Sequence, residues 1–276
     1  MNYAVVIPSY ERIADLKSCI DCINANLSPK PLHIVAVMQC EPELPDAYKD
    51  VVSLHYDHPL GAYGARNAGL RHLLKLDGVD YVLSIDDDSF FLKPVDLRST
   101  LHLFEKPDTG IVCLKISRSK EYSIGEKDKP KPILWMSGGF LTKVSLFRSI
   151  GLFACEYLEA LELSLRSYLR GFVNYYTDRA ISYHIATRHN QKNYTGGNLL
   201  YINSGNRVQG KILQKYGKYL TVKSTFERGG ATHPGVDVRI NKLGRQLHKE
   251  NRERRSRGVS TNSAFSSALG RISKAP

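Results

Sequence analysis

Short apolar runs alternate with stretches of helical periodicity along most of the chain. Tyr3–Ile7 forms an apolar run, after which Ile13, Leu16, Ile20 and Ile23 recur at the spacing of one helix face. Leu32–Val37 and Val51–Tyr56 are further strand candidates, followed by a helix from about Ala62 to Leu76 and a strand over Tyr81–Ile85. A helix over Leu97–Phe104 and a strand over Ile111–Ile116 come next. Ser117–Pro132 is rich in Lys, Pro and Gly and is expected to be an exposed loop or hairpin. Leu134–Leu141, a helix from about Leu158 to Leu169, and the strands Val173–Tyr176 and Ala180–Ile185 complete the core. Strands alternating with helices in this way predict βαβ units and a mostly parallel sheet flanked by helices.

Beyond Thr187 the pattern weakens into Tyr/Asn/Gly-rich sequence and then two basic segments of helical character, about Gly205–Tyr219 and Val236–Arg255. The expected organisation is an α/β domain over residues 1–190, a basic helical extension over 191–256 and a disordered tail over 257–276.

With 276 residues, 42% hydrophobic and 24% charged, the chain is long enough to bury one large core and excludes a mainly disordered, collagen-like or coiled-coil protein. No stretch approaches the ~20 uninterrupted apolar residues of a membrane span, and Met1 leads into a strand without a charged leader. The expectation is a soluble, cytoplasmic protein with no transmembrane segment. The five cysteines are an odd, scattered set and are read as reduced thiols. Cys19-x-x-Cys22 lies inside a predicted helix with no second Cys/His pair at metal spacing, so both are read as small buried residues.

The net charge of +12 gains meaning once it is located. Gly205 to the C-terminus carries 16 Lys+Arg against 4 Asp+Glu, so the residues before it balance to neutrality. A basic excess confined to one end attracts polyanions, whether nucleic acid, an anionic membrane face or an acidic polymer, or serves only solubility.

Chemistry concentrates at Tyr81-Val-Leu-Ser-Ile-Asp86-Asp87-Asp88-Ser89, where an apolar strand delivers three carboxylates together. Open α/β sheets bind ligands at that strand end. Adjacent like charges need a cation to compensate, and hard oxygen ligands suit Mg²⁺ or Mn²⁺. Residues i and i+2 of an extended chain share a side, so Asp86 and Asp88 should share a task while Asp87 faces elsewhere. Upstream, Gly61-Ala-Tyr-Gly-Ala-Arg66-Asn-Ala-Gly69 sets small residues at the start of a helix, with Arg66 able to grip phosphate bidentately.

Val5-Val-Ile-Pro8-Ser-Tyr10-Glu-Arg12, Gly61–Gly69, Asp86–Asp88, Ser137-Gly138-Gly139-Phe140, Ile150-Gly-Leu-Phe153 and Glu159-Ala-Leu-Glu162-Leu-Ser-Leu-Arg166 follow one another along the chain. In this order they resemble the landmarks of nucleotide-sugar glycosyltransferases of the GT-A fold, especially glycosyltransferase family 2, over about residues 3–190. The resemblance implies a GT-A-like α/β fold and transfer of a sugar from a nucleoside diphosphate donor, taken as a UDP-sugar, to a hydroxyl acceptor. It also implies a nucleoside pocket lined by Pro8, Tyr10 and Arg12, with Arg66 near the diphosphate. Asp86 would approach the ribose or the metal, Asp88 would hold Mn²⁺ or Mg²⁺, and Gly138 and Gly139 would let backbone approach the donor sugar. His184, or else His189, would be a third metal ligand. Trp135 would stack on sugar or base, or else sit in the core.

One departure stands out. Family 2 enzymes usually place a second acid where this chain has Ala160, and Glu159-x-x-Glu162-Leu-Ser-x-Arg166 is closer to the retaining polypeptide N-acetylgalactosaminyltransferases. Either Glu159 or Glu156 then supplies the base, or the mechanism is not ordinary inversion; Glu162 and Arg166 form an i,i+4 pair that is functional or structural. The basic end, with Tyr216, Tyr219 and Phe226 among its cations, is similar to the design of glycosyltransferases that modify hydroxymethylated bases in DNA. The alternatives are transfer to a lipid-linked or polysaccharide acceptor at an anionic membrane face, and a sugar-nucleotide binding protein without transfer activity. Nucleotidylyltransferases share the fold but carry a Gly-rich, Arg-containing loop after strand one, where this chain has Pro8-Ser-Tyr-Glu11.

Overall fold

The computed structural model describes residues 2–117, 120–121, 130–133, 139–154, 159–184, 215–224 and 236–258. Strand β1 (Tyr3–Tyr10) is followed by α1 (Ile13–Asn26), the two-residue β2 (Leu27–Ser28), β3 (His33–Gln39), β4 (Val51–Tyr56), α2 (Gly61–Leu73) and β5 (Tyr81–Ser84). The short β6 (Ser89–Phe90) and β7 (Val95–Asp96) lead to α3 (Arg98–Leu101), β8 (Thr109–Ser117), β9 (Lys131–Ile133), β10 (Phe140–Lys143), α4 (Val144–Ile150), α5 (Glu159–Leu169) and β11 (Val173–His184). The C-terminal part holds β12 (Leu220–Ser224), β13 (Val236–Ile240) and α6 (Lys242–Ser256).

The main sheet runs β4-β3-β1-β5-β10-β8-β11-β6, with β9 added against β11. Its first four strands are parallel, β10 is antiparallel to both neighbours, and β8 and β11 are parallel. Alternate residues of β1 feed different cores: Tyr3, Val5 and Ile7 pack with Leu16 and Ile20 of α1, whereas Ala4 and Val6 pack with Leu70 and Leu73 of α2. Both faces are covered, which is why the strand has no polar alternation.

Three sequence expectations need correction. The expected strands Val173–Tyr176 and Ala180–Ile185 are, as far as His184, one strand, β11, with register shifts between Val173/Tyr175 and Thr177/Ile181; Ile185 lies outside the described residues. Leu97–Phe104 is not one continuous helix: four residues of α-helix give way to a 3₁₀ turn over His102–Glu105. The basic extension is not wholly helical, because Val236–Ile240 pairs antiparallel with Leu220–Ser224 before α6 begins. Val236, Val238 and Ile240 alternate with polar residues at the strand period, and Asn241 then caps α6 by accepting the Gly244 N–H at 2.9 Å.

The C-terminal elements are bound to α5. Tyr216, Tyr219 and Leu220 are buried with Leu165 and Leu169. His248, Asn251 and Arg255 of α6 donate in turn to the carbonyls of Tyr168, Leu169 and Arg170, each at 2.8 Å, satisfying the open end of α5 from outside the helix. Gly171 follows with φ 82°, and a Cβ there would lie 2.5 Å from the Arg252 nitrogen, so the close approach of α6 requires glycine. The expected tail lies outside the described residues apart from Arg257 and Gly258.

Candidate active site

β5 stops at Ser84, and the Ile85 N–H still donates to Val6 O at 3.2 Å before the chain turns at Asp86. The Ser89 N–H closes the turn on Asp86 O at 3.1 Å. β6 then pairs antiparallel with the end of β11, setting His184 opposite Ser89. That pairing brings His184 Nε2 to 3.2 Å from Asp88 Oδ1. Asp86, Asp88 and His184 each offer one ligand atom, all within 4.8 Å of one another.

Asp87 points the other way. Fully buried against β1, it faces Ser9 Oγ at 2.8 Å and the Arg12 guanidinium. Asp86 and Asp88 therefore share one side as expected, but they do so across a hydrogen-bonded turn and not in extended chain. Burial pushes Asp87 up to about 7 against the opposing pull of Arg12 and Ser9. Asp88 is also pushed upward by burial, but the hydrogen bond and charge of His184 together with Arg12 outweigh this and hold it below the usual carboxylate range. The same hydrogen bond raises His184. Two carboxylates and an imidazole form a donor set suited to Mn²⁺ or Mg²⁺, and Asp86 keeps 29% of its side chain exposed toward further ligands.

Beside the carboxylates lies a cleft of about 520 Å³ at the C-terminal ends of β1 and β3, lined among others by Pro8, Tyr10, Arg12, Gln39, Tyr63 and Asp86. Glu11, at φ 52°, reverses the chain directly after β1. Arg12 is thereby turned back onto the acidic turn, where Nη1 reaches Asp88 Oδ2 at 2.8 Å and Nη2 pairs with Asp87. Gln39 and Glu41 were not singled out by the sequence. Gln39 donates to Ser9 O at 3.0 Å and accepts the Leu60 N–H at 2.7 Å, tying β1 and β3 to the start of α2. Glu41 Oε1 accepts the Arg12 N–H at 2.8 Å and lies 2.6 Å from Ser9 Oγ. Only a polar residue ending the apolar run Ile34–Met38 hinted at Gln39.

Arg66, on the buried face of α2, extends one arm to Asp86 and the other to Glu159 Oε1 at 3.2 Å. Glu159, the first residue of α5, thus borders the acidic turn. Glu162 does not. It is 2% exposed, lies 2.7 Å from Arg166 Nη2, and accepts the Tyr216 hydroxyl at 2.6 Å. Arg166 Nη2 also donates to Leu152 O at 2.7 Å. Asn67 exchanges two hydrogen bonds with the Phe153 backbone, at 2.9 and 3.0 Å. These contacts are the physical content of the Arg66-Asn67, Ile150–Phe153 and Glu162–Arg166 landmarks: side chains of α2 and α5 clamp one loop. Gly139 is buried, and a Cβ on it would meet Ile85 Cγ2 at 3.0 Å. Trp135, Gly138, Glu156 and His189 lie outside the described residues.

Solved structures with this architecture include S. aureus TarS residues 1–349 (TM-score 0.51, 15% identity, covering 67% of this chain and 60% of that one). GalNAc-T7 with UDP, GalNAc and Mn²⁺ gives a TM-score of 0.55 at 16% identity, covering 67% of this chain and 44% of that one. The mannosyltransferase PcManGT from Pyrobaculum calidifontis, in complex with GDP-Man and Mn²⁺, gives 0.51 at 16% identity, covering 68% and 57%. This chain spans less than two thirds of the length of each, and at these identities the likeness establishes the fold, a GT-A-like mixed sheet flanked by helices. No curated protein matches the sequence. The family description "Glycosyl transferase family 2" matches residues 4–157, more than half of the chain, and the chain belongs to that family.

Proposed function

We propose that the protein transfers a sugar from a nucleoside diphosphate sugar, with UDP as the nucleotide, to a hydroxyl acceptor. The observation that carries this reading is the convergence of Asp86, Asp88 and His184 beside the cleft lined by Pro8, Tyr10 and Arg12. The ligands of the GalNAc-T7 and PcManGT structures, UDP with GalNAc and Mn²⁺ in one and GDP-Man with Mn²⁺ in the other, support the donor class. Asp86, Asp88 and His184 would hold Mn²⁺ or Mg²⁺, which would neutralise charge on the diphosphate leaving group. Pro8, Tyr10 and Arg12 receive the nucleoside, Arg66 faces the diphosphate, and Gly139 borders the donor sugar. Glu159, at the edge of the cluster, accepts the proton of the attacking hydroxyl.

For the acceptor we favour a hydroxymethylated base in DNA. The outward face of α6 exposes Lys242, Arg245, Lys249 and Arg254, with Arg257 just beyond its end, against Glu250 and Glu253. Leu243 is its one exposed large apolar residue, at 48%, so it has no apolar stripe with which to enter a membrane. Glu159 and Leu169 stand about 15 Å apart along α5, or four to five nucleotide steps. A strand bound along α6 can therefore present a base to Glu159.

Release of nucleoside diphosphate from UDP- and GDP-sugars, with and without Mn²⁺, tests the reading across hydroxymethylated DNA, unmodified DNA and polysaccharide. Metal-dependent turnover of a UDP-sugar on hydroxymethylated DNA alone is expected. Donor binding without turnover on any acceptor would identify an inactive binding protein. Turnover confined to lipid-linked acceptors in anionic vesicles would replace the DNA assignment.

A further inference from the structure

Each arm of Arg66 serves a different half of the proposed reaction. One lies on Asp86, a candidate ion ligand, and the other on Glu159, the candidate base. The residue is only 8% exposed, and its guanidinium carries a permanent charge. Arg12 covers Asp87 and Asp88 in the same way, so two chain cations stand over the carboxylates. The two are not equivalent. Arg12 holds one oxygen of Asp88 and leaves the other to His184, whereas Arg66 pairs with Asp86, the carboxylate of the triplet that lines the cleft.

A divalent ion arriving at Asp86 meets that guanidinium, and like charges at one carboxylate repel. Once displaced, a buried guanidinium needs another anion. The diphosphate of the donor is the anion that arrives with the ion. We propose that Arg66 is an internal counter-ion, exchanged from Asp86 and Glu159 onto the donor diphosphate when ion and nucleotide bind together. Metal alone then binds weakly, because it must expel Arg66 with nothing to receive it. Metal and nucleotide strengthen one another through this residue, and the strengthening is reciprocal. Glu159 loses its cationic partner at the same event, so the base is released only when a donor is seated. The inference rests on the donor reading above, but its first measurement needs no nucleotide.

Mn²⁺ binding is measured by calorimetry on the full-length protein, alone and with UDP, for wild type and Arg66→Gln. Arg66→Gln is expected to bind Mn²⁺ alone on the order of tenfold more tightly, the size of effect one close charge exerts. UDP with Mn²⁺ should bind on the order of tenfold more weakly. A folded Arg66→Gln that binds Mn²⁺ alone no tighter than wild type overturns the exchange. Tighter Mn²⁺ binding by the variant, with no UDP bound by either protein, supports the competition at Asp86 while overturning the donor reading. Should Arg66→Gln not fold, a wild-type structure with Mn²⁺ and UDP decides. Arg66 on the diphosphate supports the proposal; Arg66 still on Asp86 overturns it.

Discussion

At the scale of single residues, the acidic turn and the first turn of α5 separate roles that sequence spacing left joined. Asp88 is held between His184 and Arg12, and Asp88→Asn is nearly isosteric. Metal stabilisation of the leaving group is worth several kcal/mol, so this change is expected to lower transfer ~100-fold or more in a protein that still folds, with a lower melting temperature because Arg12 and His184 lose a buried anionic partner. Undiminished transfer in EDTA would count against the ion. Glu159 and Glu162 give opposite expectations. Glu159→Gln should cut turnover about 10²–10⁴-fold, a much larger effect than any change in donor affinity from the loss of the Arg66 partner. Glu162→Gln breaks a buried pair and should cost about 3–5 kcal/mol of stability. If Glu159→Gln turns over normally and Glu156→Gln does not, the base is Glu156. The Asp triplet was legible because carboxylates directly follow an apolar strand. The role of Glu162 was not, because its Tyr216 partner lies far along the chain, and spacing reveals only the local Arg166.

At the scale of elements, the parallel sheet was readable because both faces of β1 and β3 are covered, leaving unbroken apolar runs. The irregularity of β11 was not: residues 177–181 shift register to bring His184 onto β6, and a bulge has no periodic signature. The antiparallel β12–β13 pairing was hidden by the helical, basic sequence that follows it. The α5–α6 contact makes two predictions. Gly171→Ala places a methyl against the Arg252 backbone in a left-handed conformation, and should lower stability by more than the ~1–2 kcal/mol of the backbone term alone. Hydrogen exchange should show protection lost first in α6. His248 stacks on Tyr168 at 4.0 Å, and burial holds its imidazole below the usual value, aided by Arg252 and opposed by the Tyr168 carbonyl and Asp108. The unfolded imidazole takes a proton as pH falls through about 6.5 while the folded one resists. Docking of α6 should therefore be fully present above that pH and weaken below it. His248→Phe, which keeps the stack, should remove the pH dependence of α6 exchange, and an unchanged dependence would exclude this group as its source.

At the scale of the whole molecule, the charge of the chain is divided: residues before Gly205 are neutral, and the remainder carries the net +12. The sequence made this asymmetry visible but not its attachment. Because α6 satisfies the carbonyls that end α5, removing residues 236–276 would unsettle the helix that begins with Glu159, and lost DNA binding could not be told from lost structure. Reversing outward charges avoids this. Lys242, Lys249 and Arg254 are exposed on α6, and surface changes of this kind usually alter stability by about 0.5 kcal/mol or less. A protein that neutralises Z phosphates of a duplex loses affinity with salt at a logarithmic slope near −0.9Z. The triple variant Lys242→Glu, Lys249→Glu, Arg254→Glu should therefore melt near wild type, bind duplex DNA more weakly at low salt, and show a slope shallower by roughly 0.9 for each phosphate contact removed. Identical slopes for the two proteins would detach α6 from the nucleic acid, and tight binding to anionic vesicles without binding to DNA would transfer its charge to a membrane face.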